Sequence, residues 1–284
     1  MAQILTGSEV VKALDEEIIS EVELLNKRGV TPTLAIIRVG ERADDVAYER
    51  GAISRAEKLG VAVRSIVLPE DTTTGLLTQT VESLNSDSQI HGVLLFRPLP
   101  KHIDEGMLRS VLAPKKDVDG ITDLSLCGVF TGLPTAFAPC TAEACMEILK
   151  HAALELRGKK AVVVGRSLVV GKPVAMLLLA QHATVTIAHS QTVNLPALVR
   201  EADLVIACAG QARLIDGSCV SPGQVIIDVG INVAKDGSLV GDVAFEEVEP
   251  LVAAITPVPG GVGAVTNSVL VKHVVTAAFR LTSQ

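Results

Sequence analysis

Short runs of apolar, β-branched residues alternate with helical stretches along nearly the whole chain, and no other feature narrows the possible folds as far. A strand covered on both faces needs a helix above and below it, so this alternation predicts parallel strands joined by crossover helices. The expected class is therefore α/β. In the first half the pattern places strands at residues 34–39, 62–67 and 92–96, with helices near 44–59, 74–85 and 103–112. Residues 114–139, which hold Gly128, Gly132, Pro134 and Pro139, break the rhythm and read as a crossing between two domains. Thr141 is then placed to cap a connecting helix. The pattern restarts at Lys160-Ala-Val-Val-Val-Gly165, a turn, and a helix from about Gly171 to Ala180. Further strands are expected at 184–188, 204–207, 225–229 and 253–255, and a closing apolar helix from 266 to about 281 returns to the first domain.

A chain of 284 residues suits two domains of ordinary size. A formal charge of −7 without any Lys/Arg run argues against nucleic acid, whose binding rests on phosphate neutralisation. The five cysteines include no Cys-x-x-Cys, and the six histidines include no close pair with ligand spacing, so no metal is expected. Residues 1–20 carry acids and no basic stretch before an apolar one, and no apolar run is read as approaching the length of a membrane span. These features point to a cytoplasmic protein with no membrane partner, acting on a small molecule.

The segment Pro257-Val-Pro-Gly-Gly-Val-Gly-Ala-Val-Thr266 is the first candidate site. Gly260, Gly261 and Gly263 leave its backbone bare, and the two prolines limit the entropy lost on ordering it, so a flat ligand can lie against it. A plain turn before the last helix is the alternative. The second candidate is the turn Gly165-Arg-Ser-Leu-Val-Val-Gly171, in which Ser167 takes the place of the usual second glycine. A strand before it and a helix N-terminus after it are the context that a dinucleotide phosphate requires. The next strand ends Ala188-His189-Ser190-Gln191-Thr192, without the acid that would accept an NAD ribose hydroxyl. Arg166 and Ser190 are instead suited to a 2′-phosphate, which favours NADP. His189 reads as a ligand or, preferably, as a histidine that merely ends its strand.

With these pieces in place the chain resembles the bifunctional methylenetetrahydrofolate dehydrogenase/methenyltetrahydrofolate cyclohydrolase (FolD) family almost end to end. The matching blocks are Pro98-Leu-Pro-Lys-His-Ile-Asp104, Lys116-Asp-Val-Asp-Gly120, Val163-Val-Gly-Arg-Ser167 with Val170-Gly-Lys-Pro173, Ile227-Asp-Val-Gly-Ile-Asn232, Gly241-Asp-Val243 and the 257–263 loop. The resemblance implies a folate domain over residues 1–138 plus 267–284, a Rossmann-like NADP domain over 139–266, a cleft between them, and a homodimer. It implies that Tyr48 stacks on the aminobenzoate ring of a tetrahydrofolate derivative and that Asp119 recognises the pterin. Pro259, Gly260 and Gly261 then lie beside the folate, while Gly165, Arg166, Ser167, Ser190 and Ile231 contact NADP. A buried helix residue is the alternative for Tyr48.

The departures from the family bear on chemistry. The family places a lysine one helical turn after the tyrosine, where i and i+4 share a face; here that position is Ala52. The family glutamine that supports the lysine is replaced by Phe96 in Leu95-Phe96-Arg97-Pro98-Leu99-Pro100, and Pro-Met after the glycine loop becomes Ala264-Val265. Methenyl hydrolysis needs a positioned acid/base, whereas hydride transfer needs chiefly two rings held in register. An NADP-linked methylenetetrahydrofolate dehydrogenase with weak or lost cyclohydrolase activity is therefore expected, with Tyr48, Asp119 and Arg97 as catalytic candidates. Arg97 is suited to electrostatic stabilisation and not to general base catalysis, because guanidinium stays protonated. Two alternatives stay open: a relative recruited to other folate-dependent one-carbon chemistry, such as demethylation, and a protein that binds folate and NADP without turnover.

Overall fold

The computed structural model describes residues 2–283, and its chain folds as two compact units. One comprises Ala13–Cys140 and the residues from Asn267 onward; the other comprises Thr141–Thr266 and the residues up to Lys12.

In chain order the elements are β1 Gln3–Ile4, α1 Gly7–Lys27, β2 Thr33–Val39, α2 Ala43–Lys58, β3 Ala62–Leu68, α3 Thr74–Ser86, β4 Gly92–Leu95, α4 Glu105–Val111, α5 Asp123–Thr131 and α6 Cys140–His151. They continue with β5 Lys160–Val164, α7 Gly171–Ala180, β6 Thr184–Ala188, α8 Leu195–Arg200, β7 Leu204–Ala207, β8 Val225–Asp228, β9 Asn232–Val233, β10 Leu239–Val240, α9 Phe245–Val248, β11 Ala254–Ile255 and α10 Val262–Thr282.

The first unit is built on a parallel sheet of order β3-β2-β4. The central strand β2 carries Leu34, Ala35, Ile36 and Ile37, apolar on both faces because helices cover both. Ala35, Ile37, Leu77, Val81, Leu95 and Leu108 form one core cluster. Thr73, Asp104 and Thr122 cap α3, α4 and α5 by accepting a hydrogen bond from the N–H three residues on. A buried ion pair ties α2 to the sheet: Arg38 Nε of β2 donates to Glu49 Oε2 at 2.7 Å, and Ser65 of β3 donates to the other carboxylate oxygen.

The second unit holds a six-stranded sheet, β1-β11-β8-β7-β5-β6, parallel throughout, with a separate β9–β10 hairpin. Val162, Val164, Val205, Ile226 and Ile255 belong to its core. Residues 3–4, which the sequence assigns to the first domain, pair with Ala254 and Ile255 and so extend this second sheet.

Several boundaries differ from the sequence reading. α1 was not foreseen, although Val10, Leu14, Ile18, Val22 and Leu25 form a buried stripe along it. α5 lies inside the segment read as a simple crossing and ends at Gly132, whose φ is 74°. Helix α6 begins at Cys140, so Thr141 sits within its first turn and is not its cap. α10 begins at Val262, inside the glycine-rich segment. This last helix is long and apolar enough to cross a membrane by length and composition, contrary to the expectation that no run reached that length. Its apolar window is 61% buried within the protein, which marks it as a core helix.

Candidate active site

Helix α2 presents Tyr48 at the C-terminal side of the first unit's sheet, with the residue 43% exposed. Its ring meets the buried ring of Phe96 edge-on, with centroids 5.6 Å apart at 73°. Phe96 directly follows β4, so the strand end fixes where this contact falls. Arg97, the next residue, reaches two carboxylates: Nη1 lies 3.3 Å from Glu105 Oε1, and Nη2 lies 3.8 Å from Asp119 Oδ2. Desolvation pushes the Asp119 carboxyl up to about 6, against the pull of Arg97. Asp117 adds to the rise and a hydrogen bond from Cys140 opposes it. The Tyr48 phenol is also raised above its ordinary value, by desolvation first and then by Asp119 and Cys140, so it stays protonated near neutrality. Tyr48, Phe96, Arg97 and Asp119 thus form one cluster; a cavity of about 310 Å³ lined by Arg42, Glu70, Pro98 and Pro100, among others, includes none of these four in its wall.

One turn beyond Tyr48, Ala52 is 1% exposed and packed into the core. Arg55, the next basic residue of α2, is held elsewhere: Nη2 and Nε donate to Ser268 Oγ at 2.8 and 3.1 Å, and Nη2 also bonds Asp15.

In the second unit the sequence candidates gather at the C-terminal ends of the strands, where α/β sheets take their ligands. Gly165 leaves β5 with φ 143°, and a Cβ there would collide with the Cys208 carbonyl at the end of β7. Arg166 and Ser167 are exposed in the turn that follows, and α7 then offers its N-terminus. Ser167 Oγ accepts from Val170 N at 3.1 Å, so this hydroxyl shapes the turn where the usual motif has glycine. Val164 and Ala188 are paired across β5 and β6. Arg166 and Ser190, each two residues beyond that pair, therefore leave adjacent strands at the same level. His189 Nδ1 accepts from Gln191 N at 3.2 Å, which occupies that ring nitrogen within the turn. Ile231 is exposed after β8, and its Cδ1 lies 3.5 Å from where a Cβ on Gly263 would stand. In the glycine loop Pro259 and Gly260 are exposed and Gly261 is buried.

The turn and strand ends fit a dinucleotide in chemistry: donors at a helix N-terminus, a bare glycine corner, and Arg166 and Ser190, both exposed. Comparison with known proteins decides the family. Residues 5–119 match the tetrahydrofolate dehydrogenase/cyclohydrolase catalytic domain, and residues 139–282 match its NAD(P)-binding domain. The chain belongs to the tetrahydrofolate dehydrogenase/cyclohydrolase family. It is 49% identical over 275 residues to the bifunctional protein FolD of Clostridioides difficile (strain 630), covering 97% of this chain and 96% of that one. The solved FolD of Campylobacter jejuni superposes with a TM-score of 0.96 at 35% identity over 99% of both chains. The Trypanosoma brucei enzyme, solved with NADP cofactor and an inhibitor, gives 0.92 at 38% identity over 98% of both.

Within this FolD-family chain two buried acids organise the strand ends, and sequence reasoning gave them no role. Asp228 Oδ1 accepts from Gly230 N and Asp242 N, each at 3.0 Å, and Oδ2 accepts from Val243 N at 3.0 Å. Asp242 Oδ2 in turn accepts from Ala209 N and Gly210 N at 2.6 and 2.9 Å. Burial pushes Asp228 up to about 7 against those backbone donors. A Cβ on Gly241 would collide with the Asp228 carboxylate, which explains the glycine before Asp242. The signal was present in the Asp-Val-Gly and Gly-Asp-Val blocks, whose acids flank glycines in an otherwise apolar stretch.

Proposed function

We propose that this chain is an NADP-dependent 5,10-methylenetetrahydrofolate dehydrogenase in which methenyl hydrolysis is weak or lost. The observation that carries the reading is Ala52, a buried methyl group where hydrolysis needs a titratable side chain one turn from Tyr48. Tyr48 offers its ring to the aminobenzoate, and Asp119, as carboxylate, accepts hydrogen bonds from the pterin. Pro259, Gly260 and Gly261 give a bare surface for the folate. Gly165, Ser167 and the α7 N-terminus hold the pyrophosphate, Arg166 and Ser190 hold the 2′-phosphate, and Ile231 supports the nicotinamide side. NADP supplies the hydride acceptor. The protein's task in that step is to orient both rings and exclude water, for which these residues suffice. Adding water to the methenyl carbon demands in addition a group that moves protons. Arg97 stays protonated and Arg55 is committed to Asp15 and Ser268, so neither supplies it.

The deciding experiment supplies purified protein with methylenetetrahydrofolate and either NADP or NAD. Reduced nicotinamide should appear faster with NADP, and methenyltetrahydrofolate should accumulate, decaying at its uncatalysed rate. Formyl product appearing as fast as reduced nicotinamide would show an intact cyclohydrolase. Absence of reduction with both cofactors would favour recruitment to other one-carbon chemistry or simple binding.

A further inference from the structure

The peptide that carries Asp119 is held from behind by two side chains that belong to no assigned site. The Val118 carbonyl accepts from Cys140 Sγ at 3.2 Å and from His273 Nδ1 at 2.8 Å. A carbonyl only accepts, so Nδ1 of His273 carries the proton. That tautomer also excludes a Cys–His nucleophile, although Sγ and Nδ1 lie 3.8 Å apart, because the imidazole nitrogen facing the thiol is a donor and not a base. Both residues are buried, and burial holds His273 down to about 4, so it stays neutral through the working range. The other side of the same loop is fixed by Asp117, whose carboxylate accepts from Ile121 N at 3.0 Å and Thr122 N at 2.8 Å.

The helix behind this contact is itself anchored. Phe137 packs on the His273 ring with centroids 4.9 Å apart, and Arg280, two turns further along α10, stands over Phe137 at 4.6 Å. Arg280 also donates to the carbonyls of Thr135 and Pro134, each at 2.8 Å. One face of α10 therefore grips residues 134–140 and the peptide before Asp119 together.

We propose that His273 and Cys140 are positioning residues for folate recognition, fixing the Val118–Asp119 peptide so that the Asp119 carboxylate meets the pterin. The inference rests on the assignment of Asp119 as the pterin acceptor. His273 acts through the backbone that carries Asp119, and Cys140 acts through that backbone and through its hydrogen bond to the Asp119 carboxyl. A shift of that peptide misaims a two-oxygen acceptor, and the loss falls on folate while leaving NADP untouched.

The test uses the full chain and steady-state kinetics. His273→Leu removes the donor and should raise KM for methylenetetrahydrofolate about tenfold, with KM for NADP unchanged. His273→Asn should restore KM to within about threefold, because an asparagine Nδ2 reaches the place of the histidine Nδ1. A role confined to stability predicts no such rescue and no selectivity between the two ligands. Should His273→Leu fail to fold, Cys140→Ala and Cys140→Ser take its place, the serine keeping a donor and the alanine losing it. A folate KM that stays within twofold in His273→Leu, or in Cys140→Ala, overturns the proposal. Asp119→Ala separates the two levels: if it leaves folate affinity intact, the assignment of Asp119 falls first, whereas a large effect there beside silent His273 and Cys140 variants refutes the positioning role alone.

Discussion

Replacing Arg97 by glutamine should move the pH at which folate binding is lost, because Arg97 holds Asp119 in its charged form. The carboxyl stands at about 6 with Arg97 Nη2 3.8 Å away. A nearby opposite charge lowers an aspartate by about 1 to 3 pKa units. The low end applies, since the guanidinium is shared with Glu105 at 3.3 Å and both Arg97 and Asp119 side chains are about a quarter exposed, at 23% and 26%. Without Arg97 the carboxyl should therefore titrate near about 7. If Asp119 accepts from the pterin as proposed, recognition requires the carboxylate, and affinity should fall as pH drops through the pKa. The Arg97→Gln variant should match the unmodified protein at about pH 8.5, bind tetrahydrofolate about twofold more weakly at pH 7, and about tenfold more weakly at pH 5. Calorimetric titration over that range reads the curve directly, and Asp119→Asn should abolish the pH dependence. A loss of affinity that is uniform in pH would show that Arg97 contacts the substrate itself, and the reasoning would fail. For the unliganded protein the sign is reversed: a carboxyl raised from 3.8 to about 6 contributes stability that is complete below pH 3.8 and lost as pH rises through about 6.

Three further outcomes are expected. Ala52→Lys combined with Phe96→Gln should raise methenyl hydrolysis above background by more than the two single changes together, measured as methenyl decay; additive or null effects would argue against a coupled acid/base pair at these positions. Arg166→Gln should weaken NADP by about tenfold or more, from a charge-assisted bond worth about 1.5 to 3 kcal/mol, and leave NAD unchanged, as read by fluorescence titration. Glu49→Leu should cost about 3 to 5 kcal/mol in urea unfolding by stranding Arg38 in the core, with Arg38→Leu/Glu49→Leu costing less; a single-variant cost below about 1 kcal/mol would contradict the buried-pair reading.

What could be read from the chain follows from where its apolar residues point. The run Ala161 to Val164 is buried throughout, so four apolar residues before a glycine announced β5 and the turn after it. Helix α5 runs the other way: Leu124 and Phe130 are exposed while Ser125 and Gly128 are buried, so its periodicity hides from any reading that puts apolar residues inside. That Ala52 stands one turn after Tyr48 could be read as spacing, because i and i+4 are local. The commitment of Arg55 to Ser268 was not, because those residues lie 213 apart in sequence. The bond from His273 to Val118 spans 155 residues and was equally out of reach.

Strand β1 bears on the order in which this chain becomes native. Gln3 N and Leu5 N bond the carbonyls of Ala253 and Ile255, and Gly7 N bonds that of Gly260, each at 2.8 Å. These pairings close a loop of about 250 residues, at about 2 kcal/mol more entropy than closing a ~20-residue crossover. On the ribosome the partner strand emerges roughly 10 to 50 s after β1, at about 5 to 20 residues per second. The strands β5 to β8 can pair among themselves in that interval, while the edge meant for β1 does not yet exist. The β1 pairings can therefore form only after β11 has emerged, and so can the neighbouring bond from Gly7 N that holds the Gly260 carbonyl of the glycine loop.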